Sequence, residues 1–137
     1  MKINNQKFLH LIVLVFFANC LFSISTYGQK ITEYKTKELL IKQWVLAKFE
    51  ITGGETEDLT GLNTSITFIW GDAVVKQDSK TITKGTWYYN HKKSKFTITD
   101  TDGRVEYTIL NLTDTILEVA TKYKGKEGKM TFKKAGS

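Results

Sequence analysis

TITKGTWYYNHKKSKFTITDTDGRVEYTIL, residues 81–110, decides the fold. It divides into three short alternating runs separated by two polar turns. In the first run Thr83, Gly85, Trp87 and Tyr89 share one face, while Ile82, Lys84, Thr86 and Tyr88 share the other. A period of two is the mark of a strand with one face buried. Asn90 to Ser94 forms the first turn, with His91, Lys92 and Lys93 expected in solvent. Phe96 and Ile98 then alternate with Thr97 and Thr99, and Val105, Tyr107 and Ile109 with Glu106, Thr108 and Leu110. Between them Asp100-Thr101-Asp102-Gly103 suits a tight hairpin, because glycine reaches positive φ without a steric penalty. Asp-x-Asp-Gly is also a fragment of a calcium loop. Such a loop needs further acidic ligands, a terminal Glu and flanking helices. None follows here, so a turn is expected and no metal.

Outward from this meander the same pattern continues. Asn111 to Asp114 turns the chain, and Thr115 to Tyr123 is a strand with Leu117 and Val119 opposite Ile116, Glu118 and Ala120. Lys124 to Gly128 is a basic turn, and Lys129 to Lys133 closes the set. Upstream, Ser65 to Trp70 places Ile66, Phe68 and Trp70 on one face, Gly71-Asp72 turns, and Ala73 to Gln77 makes a short strand. Ile41 to Ile51 carries Trp44 and Leu46 on one side and Val45, Ala47, Phe49 and Ile51 on the other, so the start of this strand is expected to be covered on both faces, with the Trp44 face turning polar at Lys48 and Glu50. The glycine-bearing, acidic connection between them, Gly53 to Asn63, reads as a solvated linker or a lid. Gln29 to Leu40 reads as a flexible start running into a short helical turn. Seven or eight short strands without any proline imply an all-β antiparallel barrel or sandwich.

The first residues belong to a different class. Lys2 and Lys7 precede an apolar run from Phe8 to Phe22, and Thr26 and Gly28 occupy the small-residue positions of a cleavage site. Residues 1–28 are thus expected to be a secretory signal cut after Gly28, leaving residues 29–137 as one domain in the periplasm or outside the cell. The run is too short for the roughly 18–20 residues of a spanning helix, so no stable membrane span is expected after cleavage. Lipidation at Cys20 is disfavoured, since Asn19 stands where a small residue is needed and apolar residues follow. The cut removes the one cysteine and two lysines, so the formal charge falls from +6 to +4. Disulfides are then excluded, and the mild charge suits a mixed solvated surface rather than a nucleic-acid platform.

Chemistry-bearing residues are sparse. The only histidine after the signal, His91, sits in a lysine-rich turn. The acidic pairs (Glu55 with Glu57 or Asp58, Asp100 with Asp102) lie in glycine-bearing turns, and no zinc spacing exists. No enzyme and no cofactor are expected. The aromatic residues Trp44, Phe68, Trp70, Trp87, Tyr89, Phe96 and Tyr107 fall on faces that can point inward. A barrel of about eight strands is just wide enough to be filled by side chains or to hold one small ligand. In a ligand-holding barrel Phe68, Trp87, Tyr89, Phe96 and Tyr107 would bind a small, mainly apolar molecule, with the phenols of Tyr89 and Tyr107 as polar handles. In a filled barrel the same residues are core, and the protein acts on a protein partner through the Gly53–Asn63 loop and the turns at His91–Lys95 and Lys122–Lys129.

Residues Leu39-Leu40-Ile41-Lys42-Gln43-Trp44-Val45-Leu46, then Gly85-Thr86-Trp87, the hairpin from Phe96 to Ile109 with Tyr107-Thr108-Ile109, and Leu112-Thr113-Asp114-Thr115-Ile116-Leu117 resemble the small exported lipocalin-like proteins of Bacteroidetes. That family opens its barrel with a Leu-x-Gly-x-Trp-x-Leu type motif. The resemblance spans roughly Leu39 to Phe132. It implies a calycin-type up-and-down barrel with Trp44 at its base, and supplies no ligand. Lys42 stands where the family motif has glycine, which leaves the packing of the closed end open at this point.

Overall fold

The computed structural model describes residues 32–137. The expected signal segment, its cleavage after Gly28 and Cys20 lie outside the described residues. A short helix, α1, covers residues 32–40. Nine strands follow: β1 Gln43–Ile51, β2 Thr56–Asp58, β3 Thr64–Phe68, β4 Asp72–Gln77, β5 Lys80–Asn90, β6 Lys95–Asp100, β7 Gly103–Leu112, β8 Ile116–Tyr123 and β9 Lys126–Lys134. All neighbouring strands are antiparallel, and β1 pairs with β9 as well as β3, so eight strands close into an up-and-down barrel. Residues Thr36–Ser137 make one compact unit.

The meander forms where its alternation places it. Trp87 lies opposite Ile98, Tyr89 opposite Phe96, and Phe96 in turn opposite Tyr107. At the hairpin, Asp100 pairs with Gly103. The Asp100 carboxylate accepts the amides of Asp102 and Gly103 through Oδ1 and the Thr83 hydroxyl through Oδ2. The two acids thus build a turn, and no cluster of metal-ligating side chains occurs among the described residues.

Three expectations are corrected. β1 is not covered on both faces. A bulge between Leu46 and Lys48 resets its alternation at Ala47, so Trp44, Leu46 and Phe49 all join the core. An extra residue shifts every later side chain to the opposite face. The Gly53–Asn63 segment is not a free lid. Thr56–Asp58 pairs with Lys48–Glu50, continuing the edge that β3 occupies farther back along β1. Leu59 then enters the core with its amide on the Ala47 carbonyl. Asp58 caps the turn that follows by accepting both the amide and hydroxyl of Thr60. Trp70 is not inward-facing. β3 ends at Phe68, Gly71 turns the chain with φ +82°, and Trp70 is left 62% exposed.

Two glycines let the barrel wall curve. A Cβ on Gly85 would sit 2.3 Å from the Thr99 carbonyl oxygen, and one on Gly128 would sit 2.3 Å from that of Glu50 and 2.7 Å from the Phe49 ring. No other residue permits so close an approach of neighbouring backbones.

Candidate functional site

The two ends of the barrel are built differently. At one end Trp44 is fully buried, and its indole Nε1 donates to the Leu40 carbonyl at 3.0 Å. Lys42 lies over the Trp44 ring at 5.4 Å and donates to Asp114 Oδ1 at 2.8 Å. The ammonium holds the Asp114 carboxyl below its usual range, first by this hydrogen bond and then by charge, with Lys134 adding to it. Lysine therefore closes this end by covering the tryptophan. Leu40, Phe68, Phe96, Leu117 and Phe132 fill the space above, each essentially without solvent contact. This half of the barrel is filled.

At the other end the interior-facing positions thin out. Val75, Thr83, Tyr107, Thr121 and Tyr123 are only half-buried, and Val105 is 47% exposed. The β4–β5, β6–β7 and β8–β9 turns there are short and polar and leave their part of the rim uncovered, while the Gly53–Asn63 segment packs on β1 with Leu59 in the core. Asp100 stands at this rim. Its carboxyl is held below the ordinary value, chiefly by the Thr83 hydroxyl and then by the Asp102 amide. Burial pushes the Tyr107 phenol up, and the nearby Asp100 charge pushes it further. The Tyr107 hydroxyl makes no hydrogen bond with any described residue. A phenol facing a half-open interior with an unused donor can orient a ligand.

Four of the five residues proposed from sequence form one continuous aromatic run. Trp87 meets Phe68 edge to face at 5.1 Å, Phe68 meets Phe96 at 5.2 Å, and Phe96 stacks on Tyr107 at 4.9 Å with an interplanar angle of 16°. They occupy different depths. Phe68 and Phe96 are core, Tyr89 is buried at 4% exposure, and Trp87 and Tyr107 remain partly exposed. Tyr89 has a local partner that sequence reading placed in solvent: its hydroxyl lies 3.3 Å from His91 Nδ1. His91 is thereby half-buried while Lys92 and Lys93 stay exposed. The Trp87 indole donates to the Ile69 carbonyl at 2.6 Å. Tyr123, which sequence reading left out, packs edge to face on Phe49 at 5.3 Å on the far wall. Its alternation with Leu117 and Val119 is the signal that could have placed it.

Two clefts of about 560 Å³ lie on the barrel wall. One is polar, lined by Gln43, Asn63, Ser65 and Asp78 among others, and belongs to the outer face of β1, β3 and β4. The second lies along β7, β8 and β9.

No protein-family model matches this chain. No curated protein matches it. Solved structures do share its fold. An uncharacterized protein from Bacteroides eggerthii superposes with a TM-score of 0.54 at 14% identity, over 69% of this chain and 98% of that one. A lipocalin-like protein from Bacteroides uniformis superposes with a TM-score of 0.52 at 16% identity, over 70% of this chain and 98% of that one. The likeness is one of fold: this chain is a lipocalin-like barrel.

Proposed function

We propose that this barrel is an exported carrier, periplasmic or secreted, that takes a small, mainly apolar ligand at its half-open end and performs no catalysis. The observation that carries the reading is the asymmetry of the interior. One end is packed to completion, whereas the other keeps half-buried aromatic surface and the unpartnered Tyr107 hydroxyl. Evolving a stable barrel gives no reason to leave such surface open, since filling it would add to stability. The ligand body would lie against Tyr107, with Phe68 and Phe96 as the floor, Trp87 bracing that floor through the Ile69 carbonyl and Tyr89 holding the wall through His91. The signal-like N-terminus supports export.

The test is native mass spectrometry of the exported protein, purified without denaturation. An adduct of defined mass that is lost on denaturation supports a carrier and identifies its cargo class. Trp87→Ala should then weaken retention of that adduct more than it destabilises the fold. A clean apo mass, unchanged after incubation with a lipid and metabolite extract, refutes the reading. The second reading, a module that binds a protein partner, is favoured by the outer face of β5, where Tyr88 is 67% and Ile82 57% exposed. A protein retained in the same spectrum, with no small adduct, would select it.

A further inference from the structure

β7 and β8 are paired over only part of their length. β7 runs from Gly103 and β8 to Tyr123, yet their ladder begins at Thr108 opposite Ala120 and runs from there to Leu112 opposite Leu117. Toward the half-open end the two strands therefore part. Residues Gly103–Tyr107 keep β6 as a partner, and Thr121–Tyr123 keep β9.

The direction of the backbone groups sharpens this. The Ile109 amide donates to the Ser94 carbonyl, on the β6 side. Alternation along an antiparallel strand then aims the N–H and C=O groups of Thr108, Glu106 and Arg104 at β8. Thr108 finds Ala120. Arg104 and Glu106 face no paired residue, so their ladder groups are left to solvent. The wall is open there.

The second cleft sits on this opening. Its lining includes Lys95, Glu106, Thr108, Ala120, Lys122 and Glu127, whose side chains belong to the outer face, and also Thr121 and Gly128, which belong to the inner one. The cleft thus lies over the opening, and its lining reaches in to Thr121 and Gly128. Directly behind it stand the two residues with free or half-buried phenols, Tyr107 on β7 and Tyr123 on β8. Lysines flank the gap on both sides, in loose pairs: Lys95 with Glu106 at 3.9 Å and Lys122 with Glu127 at 3.8 Å.

We infer that the β7–β8 seam is a lateral portal, through which an amphipathic molecule passes its apolar body between Tyr107 and Tyr123 and leaves its polar end in the outer cleft. This rests on the carrier reading and adds the route and the ligand class. The cleft volume of about 560 Å³ suits a small molecule. The free edge of two residues is too short to hold an added peptide strand, which commonly needs about three or more. Each lysine can turn from its distant glutamate to a polar ligand group without leaving a buried charge, because both pairs are exposed.

The test locks the seam. Glu106→Cys and Lys122→Cys, introduced together with Cys20→Ser, place one thiol on each lip, and a short bismaleimide bridges them. The probe is anilinonaphthalene sulfonate, a flat apolar dye with one polar head, followed by stopped-flow fluorescence. Bridging should slow uptake by at least about tenfold relative to the same variant with its thiols capped singly, a change large enough to stand clear of ordinary variation in association rate among variants of one site. A control bridge between Val74→Cys and Lys84→Cys, facing positions on the intact β4–β5 ladder, should leave the rate unchanged. A urea midpoint no lower than that of the capped protein confirms that the bridged barrel is folded. Equal rates with and without the seam bridge overturn the portal and leave the carrier standing. An equal slowing by the control bridge also overturns it, since general stiffening would then be the cause. Failure of the native protein to take up the probe overturns both.

Discussion

Replacing Trp44 and Trp87 in turn by Phe tests whether the buried and the half-buried indole near the closed end carry unequal shares of its stability. Trp44 is 0% exposed. Trp44→Phe removes its bond to the Leu40 carbonyl, but that oxygen keeps the Lys42 amide at 2.8 Å. The loss is thus one of two hydrogen bonds to a buried acceptor, about 1 kcal/mol. The smaller ring leaves part of a close-packed space empty, which adds about 1–2 kcal/mol. The total, about 2–3 kcal/mol, should lower Tm by about 10–20 °C in a domain of this size. Trp87 also donates a hydrogen bond, to Ile69, but it is half-buried and water can replace the donor. Trp87→Phe should cost about 1 kcal/mol or less, a shift of about 5 °C. Differential scanning calorimetry of both variants against the parent measures this directly. Equal shifts, or a larger one for Trp87, would refute the reading that the fully buried Trp44 anchors the closed end.

Two further outcomes follow from named contacts. Gly128→Ala should destabilise by about 1–3 kcal/mol, read as a lower urea midpoint, because its Cβ would strike the Glu50 carbonyl; alanine ordinarily suits an element interior better than glycine, so an unchanged or higher midpoint would contradict the close approach. Asp100 is held below its ordinary pKa in the folded state, so its contribution is present above the unfolded value of about 3.9 and is lost as pH falls through the lower folded value. Asp100→Asn should therefore flatten, without abolishing, the loss of stability below about pH 4 in acid titrations followed by circular dichroism, since Glu50, Asp58 and Asp114 are lowered too. An acid limb as steep as the parent's would show that the Thr83 and Asp102 bonds do not hold the charge.

Which aromatic residues face the barrel interior was largely legible because alternation is a local property. The side chains of Trp87, Tyr89, Phe96 and Tyr107 point the same way in any antiparallel meander with these turns, and ring contacts join Trp87, Phe96 and Tyr107 through Phe68. Depth was not legible. Phe96 and Tyr107 stand opposite one another with the same pattern around them, yet one is floor and the other rim. The distinction depends on which strands lie across the barrel. Ala47 and Trp70 show the other limit. A bulge and an early strand end are decided by partners remote in sequence, and either one redirects every side chain counted past it.

What the sequence determined by itself was the class: short alternating strands, turns that glycine and aspartate favour, an apolar N-terminal run, and too few reactive groups for a recognisable catalytic set. These are consequences of backbone geometry over a few residues. Closure of β1 on β9, the filled base beneath Trp44 and the parting of β7 from β8 were decided only by the tertiary structure. Closure is a pairing of strands remote in sequence, and the other two depend on which strands and side chains share the interior at a given height. Where large rings fill it, at Trp44, Phe68 and Phe132, the wall is sealed. Toward Thr121 and Gly128 the ladder between β7 and β8 ends, and there the two strands stand apart.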